Sequence, residues 1–217
     1  MRSMDCTFIL GSRNYSSWSM RPGVVLEVAG VPREELVVPL GLPDTAERIR
    51  AVSPSGRVPV LVDRGVTIWD SLAICEYLAE KYPAANLWPR DPAARATARS
   101  VSAEMHSGFA ALRSALPMNI RLHRPVASLT PEVAADVARI RAIWRGCRAQ
   151  VTSGAFLFGA FTIADAMFAP VVARFRTYGV ALDGPEAEYA DALWRHAAVQ
   201  KWVAAAKAEP HSIPKYD

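Results

Sequence analysis

A serine-rich loop is the first segment of the chain whose residue types could do chemistry. Tyr15-Ser16-Ser17-Trp18-Ser19 stands just before a run of apolar residues at helical spacing. A helix N-terminus carries unpaired N–H groups and a partial positive charge, so it stabilises an anion. A serine hydroxyl at this point can donate a hydrogen bond to a thiolate, which lowers the pKa of the thiol. The alternative interpretation is that one of the serines only caps the helix.

Two further pairs of residues stand where an extended or charged ligand could bind. Val58 and Pro59 begin a strand, and a cis bond between them would leave the backbone of Val58 free for a peptide ligand, although most X–Pro bonds are trans. Asp70 and Ser71 begin a helix directly after another strand. There, Ser71 could hold a carboxylate and Asp70 an ammonium group. Capping of the helix is the alternative for this second pair.

The first part of the chain changes its hydrophobic period repeatedly, which is typical of alternating strands and helices. The order of elements is β-α-β-α-β-β-α, and it predicts a parallel pair of strands followed by an antiparallel hairpin. This is the order of the thioredoxin-like fold, so we predict an α/β domain of that kind over residues 1–84. The predicted elements are strands 7–10, 36–38, 58–62 and 66–69, and helices 19–29 and 44–50 with a third starting at 70.

The second part of the chain loses the strand rhythm altogether. Three prolines between residues 83 and 92 indicate a linker, placed at 85–91. Beyond it we predict an all-helical domain over residues 92–217. Thr162 and Asp165 form a capping-box pattern at the start of one of its helices. The predicted helices cover 92–116, 131–147, 163–178, 186–193 and 197–206.

Composition excludes several classes of function. The 217 residues carry a net charge of +4, spread without any run of Lys and Arg, so we expect no nucleic-acid partner. No stretch of eighteen apolar residues lacks a charge or a breaker, and no secretory signal pattern is present, so we expect no membrane span and a cytoplasmic location. Three widely spaced cysteines and four scattered histidines predict neither a disulfide framework nor a metal site.

Three sequence motifs together resemble those of the cytosolic glutathione transferase family across nearly the whole chain. The run from Ser53 to Leu61 is similar to the family's NPxGxVPxL segment, and the run from Asp70 to Leu78 to its E/D-S-xAIxxYL segment. Phe161 to Asp165 matches the (F/L)-(S/T)-x-A-D motif of the second domain. The resemblance implies the glutathione transferase fold: a thioredoxin-like domain that binds glutathione, followed by an all-helical domain that completes the substrate pocket.

The resemblance also gives roles to particular residues of the first domain. Val58 would pair through its backbone with the cysteinyl part of glutathione, with Pro59 in the cis form. Asp70 and Ser71 would bind the γ-glutamyl end. Arg57 would approach a carboxylate of glutathione. Since Asp70 is shorter than the commoner Glu, its contact with the ammonium group would be longer or bridged by water.

The serine loop is similar to the SSCS motif of the zeta class of this family. On that alignment Ser16 is the residue that stabilises the thiolate, and Ser17 is its neighbour. Trp18 stands where the zeta motif has cysteine. No general base is needed for this mechanism, which fits the absence of His or a carboxylate from the loop.

The resemblance implies a cytoplasmic, homodimeric detoxification enzyme that conjugates the glutathione thiolate to small electrophilic substrates. Glutathione would be a co-substrate, and no metal would be needed. Two alternatives remain: a glutathione-dependent cis–trans isomerase of the maleylacetoacetate isomerase kind, whose acidic substrate would favour arginines in the pocket, and a non-catalytic glutathione-binding protein. Candidates for the second-substrate site, by placement only, are Met105, Phe109, Met118, Asn119, Arg121 and Phe168. Arginines that could bring positive charge near a pocket are Arg113, Arg121, Arg124, Arg174 and Arg176.

Overall fold

A four-stranded mixed sheet forms the first part of the chain in the computed structural model, which describes residues 5–217. The strand order is β2-β1-β3-β4. β1 and β2 are parallel, whereas β3 is antiparallel to both β1 and β4. The predicted parallel pair and antiparallel hairpin are therefore confirmed. The strands are β1 (Cys6–Gly11), β2 (Glu34–Val38), β3 (Val60–Asp63) and β4 (Val66–Trp69).

The helices of this part follow the predicted order. In α1 the apolar residues Met20, Val24 and Val25 are fully buried, and Gly30 ends the segment with a φ of 64°, a conformation that favours glycine. β3 begins at Val60, two residues later than predicted, because Val58 and Pro59 lie outside the ladder. The helices are α1 (Ser17–Val28), α2 (Thr45–Arg50) and α3 (Ser71–Lys81).

The second part of the described chain is helical. The prediction of one helix over 92–116 is wrong, because the chain breaks at Gly108 and Phe109. Gly108 is extended, and Phe109 has a φ of 63°. Within residues 5–217, no helix has the length and apolar character to cross a membrane. The helices are α4 (Pro92–Ser107), α5 (Ala110–Ala115), α6 (Pro131–Arg148), α7 (Ile163–Tyr178), α8 (Gly184–Arg195) and α9 (Ala197–Ala208).

Helix α7 is the centre of the helical part, and nearly all of its residues are buried. The predicted capping box at its start is confirmed. The Asp165 carboxylate accepts hydrogen bonds from the backbone N–H of Thr162 at 2.8 Å and of Leu157 at 3.0 Å. This side chain therefore ties the preceding loop to the helix.

Helix α1 packs against elements of both parts of the chain, namely α3 of the first part and α7 and α9 of the second. Its approach to α9 depends on Gly23. A Cβ at this position would lie 2.3 Å from the Trp202 ring. The indole cannot easily move away, because its Nε1 donates a hydrogen bond to the Arg13 carbonyl at 3.1 Å. The absence of a side chain at Gly23 thus sets the contact between the two parts.

We expect Gly23→Ala to lower the free energy of unfolding by about 1–3 kcal/mol, because the added methyl group overpacks the contact with Trp202. Gly146→Ala is the matched control. Gly146 is an exposed residue of α6, and a Cβ there would meet no atom within 4 Å. This control should raise the free energy of unfolding by about 0.5–1 kcal/mol. Urea denaturation measures both values, and equal effects of the two substitutions would contradict the account.

Candidate active site

A pocket of about 580 Å³ brings the predicted glutathione-binding residues together. Its lining includes Arg57, Val58 and Pro59 from the segment before β3. Asp70 and Ser71 line it from the start of α3. Two segments that are separate in the sequence therefore meet here because β3 and β4 form a hairpin between them.

The segment before β3 is held in a closed turn. The Ser53 hydroxyl donates to the Arg57 carbonyl at 2.6 Å and accepts from the Arg57 N–H at 3.2 Å. Gly56 has a φ of 65°, which permits the turn. The Val58–Pro59 bond is cis. The Arg57 side chain is exposed beside the pocket, where it can meet an anion.

Asp70 and Ser71 form the N-terminus of α3. Asp70 has a φ of 75° and a ψ of 135°, an uncommon conformation for a residue other than glycine. One of its carboxylate oxygens caps the helix by accepting from the Leu72 N–H at 2.8 Å. Ser71 is only 1% exposed, and its hydroxyl has no hydrogen-bond partner among the described residues. A buried hydroxyl without a partner at a helix N-terminus suits an anionic ligand.

Ser16 and Ser17 at the start of α1 are both buried, and neither is among the residues that line the pocket. Ser16 is the N-cap of α1. Its hydroxyl accepts from the Ser19 N–H at 3.3 Å and donates to the Ser19 hydroxyl at 2.8 Å. The Ser17 hydroxyl accepts from Arg174 Nη2 at 3.1 Å. Ser17 thus keeps its own proton available for donation, whereas the Ser16 proton is engaged.

The loop that carries these serines is fixed by the second part of the chain. Asn14 donates to the Asn119 side chain at 2.7 Å. The Tyr15 hydroxyl donates to Asp217 at 2.7 Å and accepts from Arg121 at 3.0 Å. The start of α1 is therefore anchored to the loop after α5 and to the C-terminal residues.

The Trp18 ring covers a group of cationic side chains beside the pocket. The guanidinium carbons of Arg21 and Arg113 lie 4.4 Å and 4.7 Å from its ring centroid. The His106 ring meets the indole edge-on at 5.2 Å. His106 Nε2 lies 3.3 Å from an Asp70 carboxylate oxygen, so the group reaches the start of α3.

Burial and repulsion between like charges both lower pKa values in this group of side chains. Arg21 is fully buried, and burial, reinforced by Arg113 and Arg174, holds the pKa of its guanidinium well below the usual value. Burial similarly lowers the pKa of Arg174 to about 9. Burial, together with Arg21 and Arg113, lowers the pKa of His106 more than Asp70 raises it. Burial and the two arginines therefore favour the neutral form of the His106 ring, despite its contact with Asp70.

None of the predicted candidates for the second-substrate site is in the lining of this pocket. Arg121 donates to the backbone carbonyls of Glu209 and His211 and so holds the C-terminal segment. The sequence analysis missed Arg21 and His106. A charged residue within the buried face of α1 was the available signal for Arg21. The remaining candidates are all buried: Met105, Phe109, Met118, Asn119 and Phe168.

Other parts of the described chain hold fewer groups that could bind a ligand or react. A pocket of about 690 Å³ lies in the helical part beside Arg176 and Trp194, and none of the predicted glutathione-binding residues lines it. Among residues 5–217, no group of three or more His, Cys, Asp and Glu side chains is arranged to hold a metal ion. All three cysteines are buried without a disulfide, and burial raises the pKa of Cys147 to about 11.

The chain is similar in sequence to known protein families and to individual proteins. A model of the glutathione S-transferase N-terminal domain matches residues 15–81, and one of the glutathione S-transferase C-terminal domain matches residues 130–205. The rat protein named maleylacetoacetate isomerase is 36% identical over 111 residues, which cover 49% of this chain and 50% of the rat protein. Glutathione S-transferase Z2 from Arabidopsis thaliana is 27% identical over 175 residues, 77% of each chain.

Solved structures give the same fold over nearly the whole chain. A glutathione transferase homologue from Burkholderia, with bound glutathione, is 26% identical with a TM-score of 0.71 and covers 94% of this chain and 98% of its own. The matches to the first curated relatives, by contrast, span only about half of their length. A thioredoxin-like domain followed by a helical domain is thus confirmed as the fold. With both domain models matched in order over about two thirds of its residues, the chain belongs to the glutathione S-transferase family.

Proposed function

We propose that this chain is a glutathione transferase that binds glutathione in the pocket beside α3 and adds its thiolate to small electrophiles. The observation that carries the proposal is the Ser71 hydroxyl, which is buried in the pocket wall and has no partner among the described residues. A polar group in that state is costly unless a ligand satisfies it. Its place at the N-terminus of an 11-residue helix favours a carboxylate.

The pocket residues complement the two ends of glutathione. The γ-glutamyl carboxylate would accept hydrogen bonds from Ser71, and the Asp70 carboxylate oxygen that lies beside His106 would meet the ammonium group. The backbone of Val58 lies outside the β3 ladder and would pair with the cysteinyl residue. Arg57 would approach the glycyl carboxylate from the exposed side. Each end of the tripeptide then meets the opposite charge.

Thiol activation is proposed at the N-terminus of α1. Ser17 is the better donor of the two serines, because its hydroxyl accepts from Arg174 and keeps its own proton for the sulfur. A hydrogen bond to a charged group contributes about 1.5–3 kcal/mol, which corresponds to roughly one to two pKa units. Together with the helix dipole and the nearby Arg174 guanidinium, this brings a thiol with a free pKa of about 8.5 near neutrality.

We expect Ser17→Ala to raise the pKa of protein-bound glutathione thiol by about one to two units, because the hydrogen bond to the thiolate is lost. Ser16→Ala is the matched control. It should leave this pKa unchanged and lower the free energy of unfolding by about 1 kcal/mol, since Ser16 caps α1. Ultraviolet absorbance of the thiolate, followed across pH, measures the pKa. A rise with Ser16→Ala alone would make Ser16 the donor, and bound glutathione with no thiol shift in any form would contradict a transferase.

A second candidate function is a glutathione-dependent isomerase. The name of the rat relative, maleylacetoacetate isomerase, favours it. The cluster of arginines beside the pocket also suits an acidic substrate. Both functions share the first step, in which the thiolate adds to an electrophilic carbon. An isomerase then expels the thiolate after bond rotation, whereas a transferase releases the conjugate.

The fate of glutathione distinguishes the two functions. Proton NMR would follow glutathione in separate reactions with maleylacetoacetate and with 1-chloro-2,4-dinitrobenzene, an activated aryl chloride. A transferase consumes one glutathione for each product formed from the aryl chloride. An isomerase converts maleylacetoacetate while the glutathione signal stays constant. If glutathione binds but neither substrate reacts, the chain is a non-catalytic glutathione-binding protein instead.

The oligomeric state and the cellular location of the protein belong to the same proposal. We expect a homodimer in the cytoplasm with a role in detoxification, as the family resemblance implies. Light scattering tests the assembly directly, because one chain has a mass of 23.6 kDa. A measured mass near twice that value supports the dimer, and a mass near 23.6 kDa contradicts it.

A further inference from the structure

We propose that residues 209–217, which we call the strap, hold the start of the serine loop in place, and that Tyr15 and Asp217 are positioning residues for thiol activation. The strap follows α9 and binds the loop that leads into α1. Neither Tyr15 nor Asp217 lines the glutathione pocket, so their effect on the thiol passes through the position of Ser17. The inference rests on the proposed function, because it names the groups that fix the proposed thiol donor.

The Tyr15 hydroxyl is bound at two points of the strap. It donates to the Asp217 carboxylate at 2.7 Å and accepts from the Ile213 N–H at 3.0 Å. It also accepts from Arg121 Nη2 at 3.0 Å, and Tyr15 as a whole is only 8% exposed. Because a phenol has one proton and two lone pairs, its hydrogen-bonding capacity is fully used. Tyr15 therefore has no proton to offer a thiol, and its hydroxyl serves to hold the loop.

A second carboxylate of the strap binds the backbone of the same loop. Glu209 Oε2 accepts from the Arg13 N–H at 2.7 Å and from the Asn14 N–H at 3.4 Å. Glu209 Oε1 accepts from Arg13 Nη1 at 3.0 Å. Backbone N–H groups that are shielded from water need partners of this kind. The strap thus binds residues 13–15 through carboxylates at both of its ends.

The strap is itself held against other elements. Ile213 is only 8% exposed and packs beside Gly41, where a Cβ would lie 3.2 Å from Ile213 Cγ2. His211 Nε2 lies 2.6 Å from the Leu40 carbonyl oxygen. Asn119 Nδ2 donates to the Tyr216 carbonyl at 2.8 Å. Irregular segments open easily when they have few buried contacts, and these contacts give the strap a fixed position.

Short backbone hydrogen bonds connect Tyr15 to the proposed thiol donor. The Ser17 N–H donates to the Tyr15 carbonyl at 3.0 Å. The Tyr15 and Ser16 N–H groups both donate to the Ser12 carbonyl, at 3.1 Å and 2.8 Å. A displacement of Tyr15 therefore moves Ser17 as well. Since a hydrogen bond weakens steeply as its geometry worsens, a small movement of the Ser17 hydroxyl weakens its bond to the thiolate.

Tyr15→Phe and Asp217→Ala should each raise the pKa of bound glutathione thiol by about one unit, because each breaks the link that places the Ser17 hydroxyl. Asp217→Asn should keep the wild-type thiol pKa, since its amide oxygen still accepts from Tyr15. Glu188→Ala is the matched control, because it removes an exposed carboxylate from α8. It should leave the thiol pKa unchanged. Ultraviolet absorbance of the thiolate across pH, with the S-methylglutathione complex as the blank, measures each value.

The double variant Tyr15→Phe with Asp217→Ala tests whether the two residues act through one link. Its thiol pKa should be close to that of Tyr15→Phe alone, because that substitution already removes the hydrogen bond to Asp217. An additive rise of about two units would show two separate effects and would overturn the link.

A merely structural role for the strap predicts a different set of results. Tyr15→Phe and Asp217→Ala would then lower the melting temperature and the affinity for glutathione, while the thiol pKa in the folded protein stayed at the wild-type value. An unchanged thiol pKa in both variants therefore overturns the positioning role, whatever happens to stability.

Failure of the proposed function gives a separate result. It fails if wild-type protein does not bind glutathione, or binds it without lowering the thiol pKa. Hydrogen exchange at the Ser17 N–H then tests the strap by itself, because this amide is bonded to the Tyr15 carbonyl. Exchange should be about tenfold faster in Asp217→Ala than in Glu188→Ala. Equal exchange rates in the two variants would overturn the strap as well.

Discussion

The packing of helix α1 between the two parts of the chain is the constraint on which the rest of the structure depends. The helix contacts α3 of the first part and α7 and α9 of the second. Gly23 permits the close approach to Trp202, and the start of the helix is anchored by Tyr15 and its contact with Asp217. The same helix presents Ser17 and Trp18 at its first turn. The packing of α1 between the two parts of the chain therefore also fixes the position of the residues that are proposed to react.

Several groups at this junction are buried without the partners that burial normally requires. The Ser71 hydroxyl lies in the wall of the pocket, and the Arg21 guanidinium packs against the Trp18 ring. Folded proteins tolerate such groups chiefly where a ligand completes them. The glutathione proposed to bind in the pocket would supply a partner for the Ser71 hydroxyl.

The sequence predicted the sheet well because its signals are local. The turn at residues 63–65 lies between two apolar runs, and this pattern is enough to place the β3–β4 hairpin. The break at Gly108 and Phe109 was missed because the apolar period continues through it. In the site, the family resemblance implied that Val58, Asp70 and Ser71 bind one ligand, and the structure places all three in the lining of one pocket. The contact between Arg113 and the Trp18 ring could not be predicted, because the two residues are far apart in the sequence and meet only in the fold. The preference for Ser17 likewise depends on Arg174, which is 157 positions away.

The most direct test of the central claim is the affinity of glutathione for Ser71→Ala, measured by calorimetry beside urea denaturation of the same protein. Ser55→Ala, which alters another serine of the pocket wall, is the control. Because a buried hydroxyl without a partner is costly, removal of the Ser71 hydroxyl should not lower the free energy of unfolding. The affinity for glutathione should fall about tenfold, as expected for one hydrogen bond to a charged group. An unchanged affinity in Ser71→Ala would contradict the claim that this hydroxyl holds a carboxylate of glutathione.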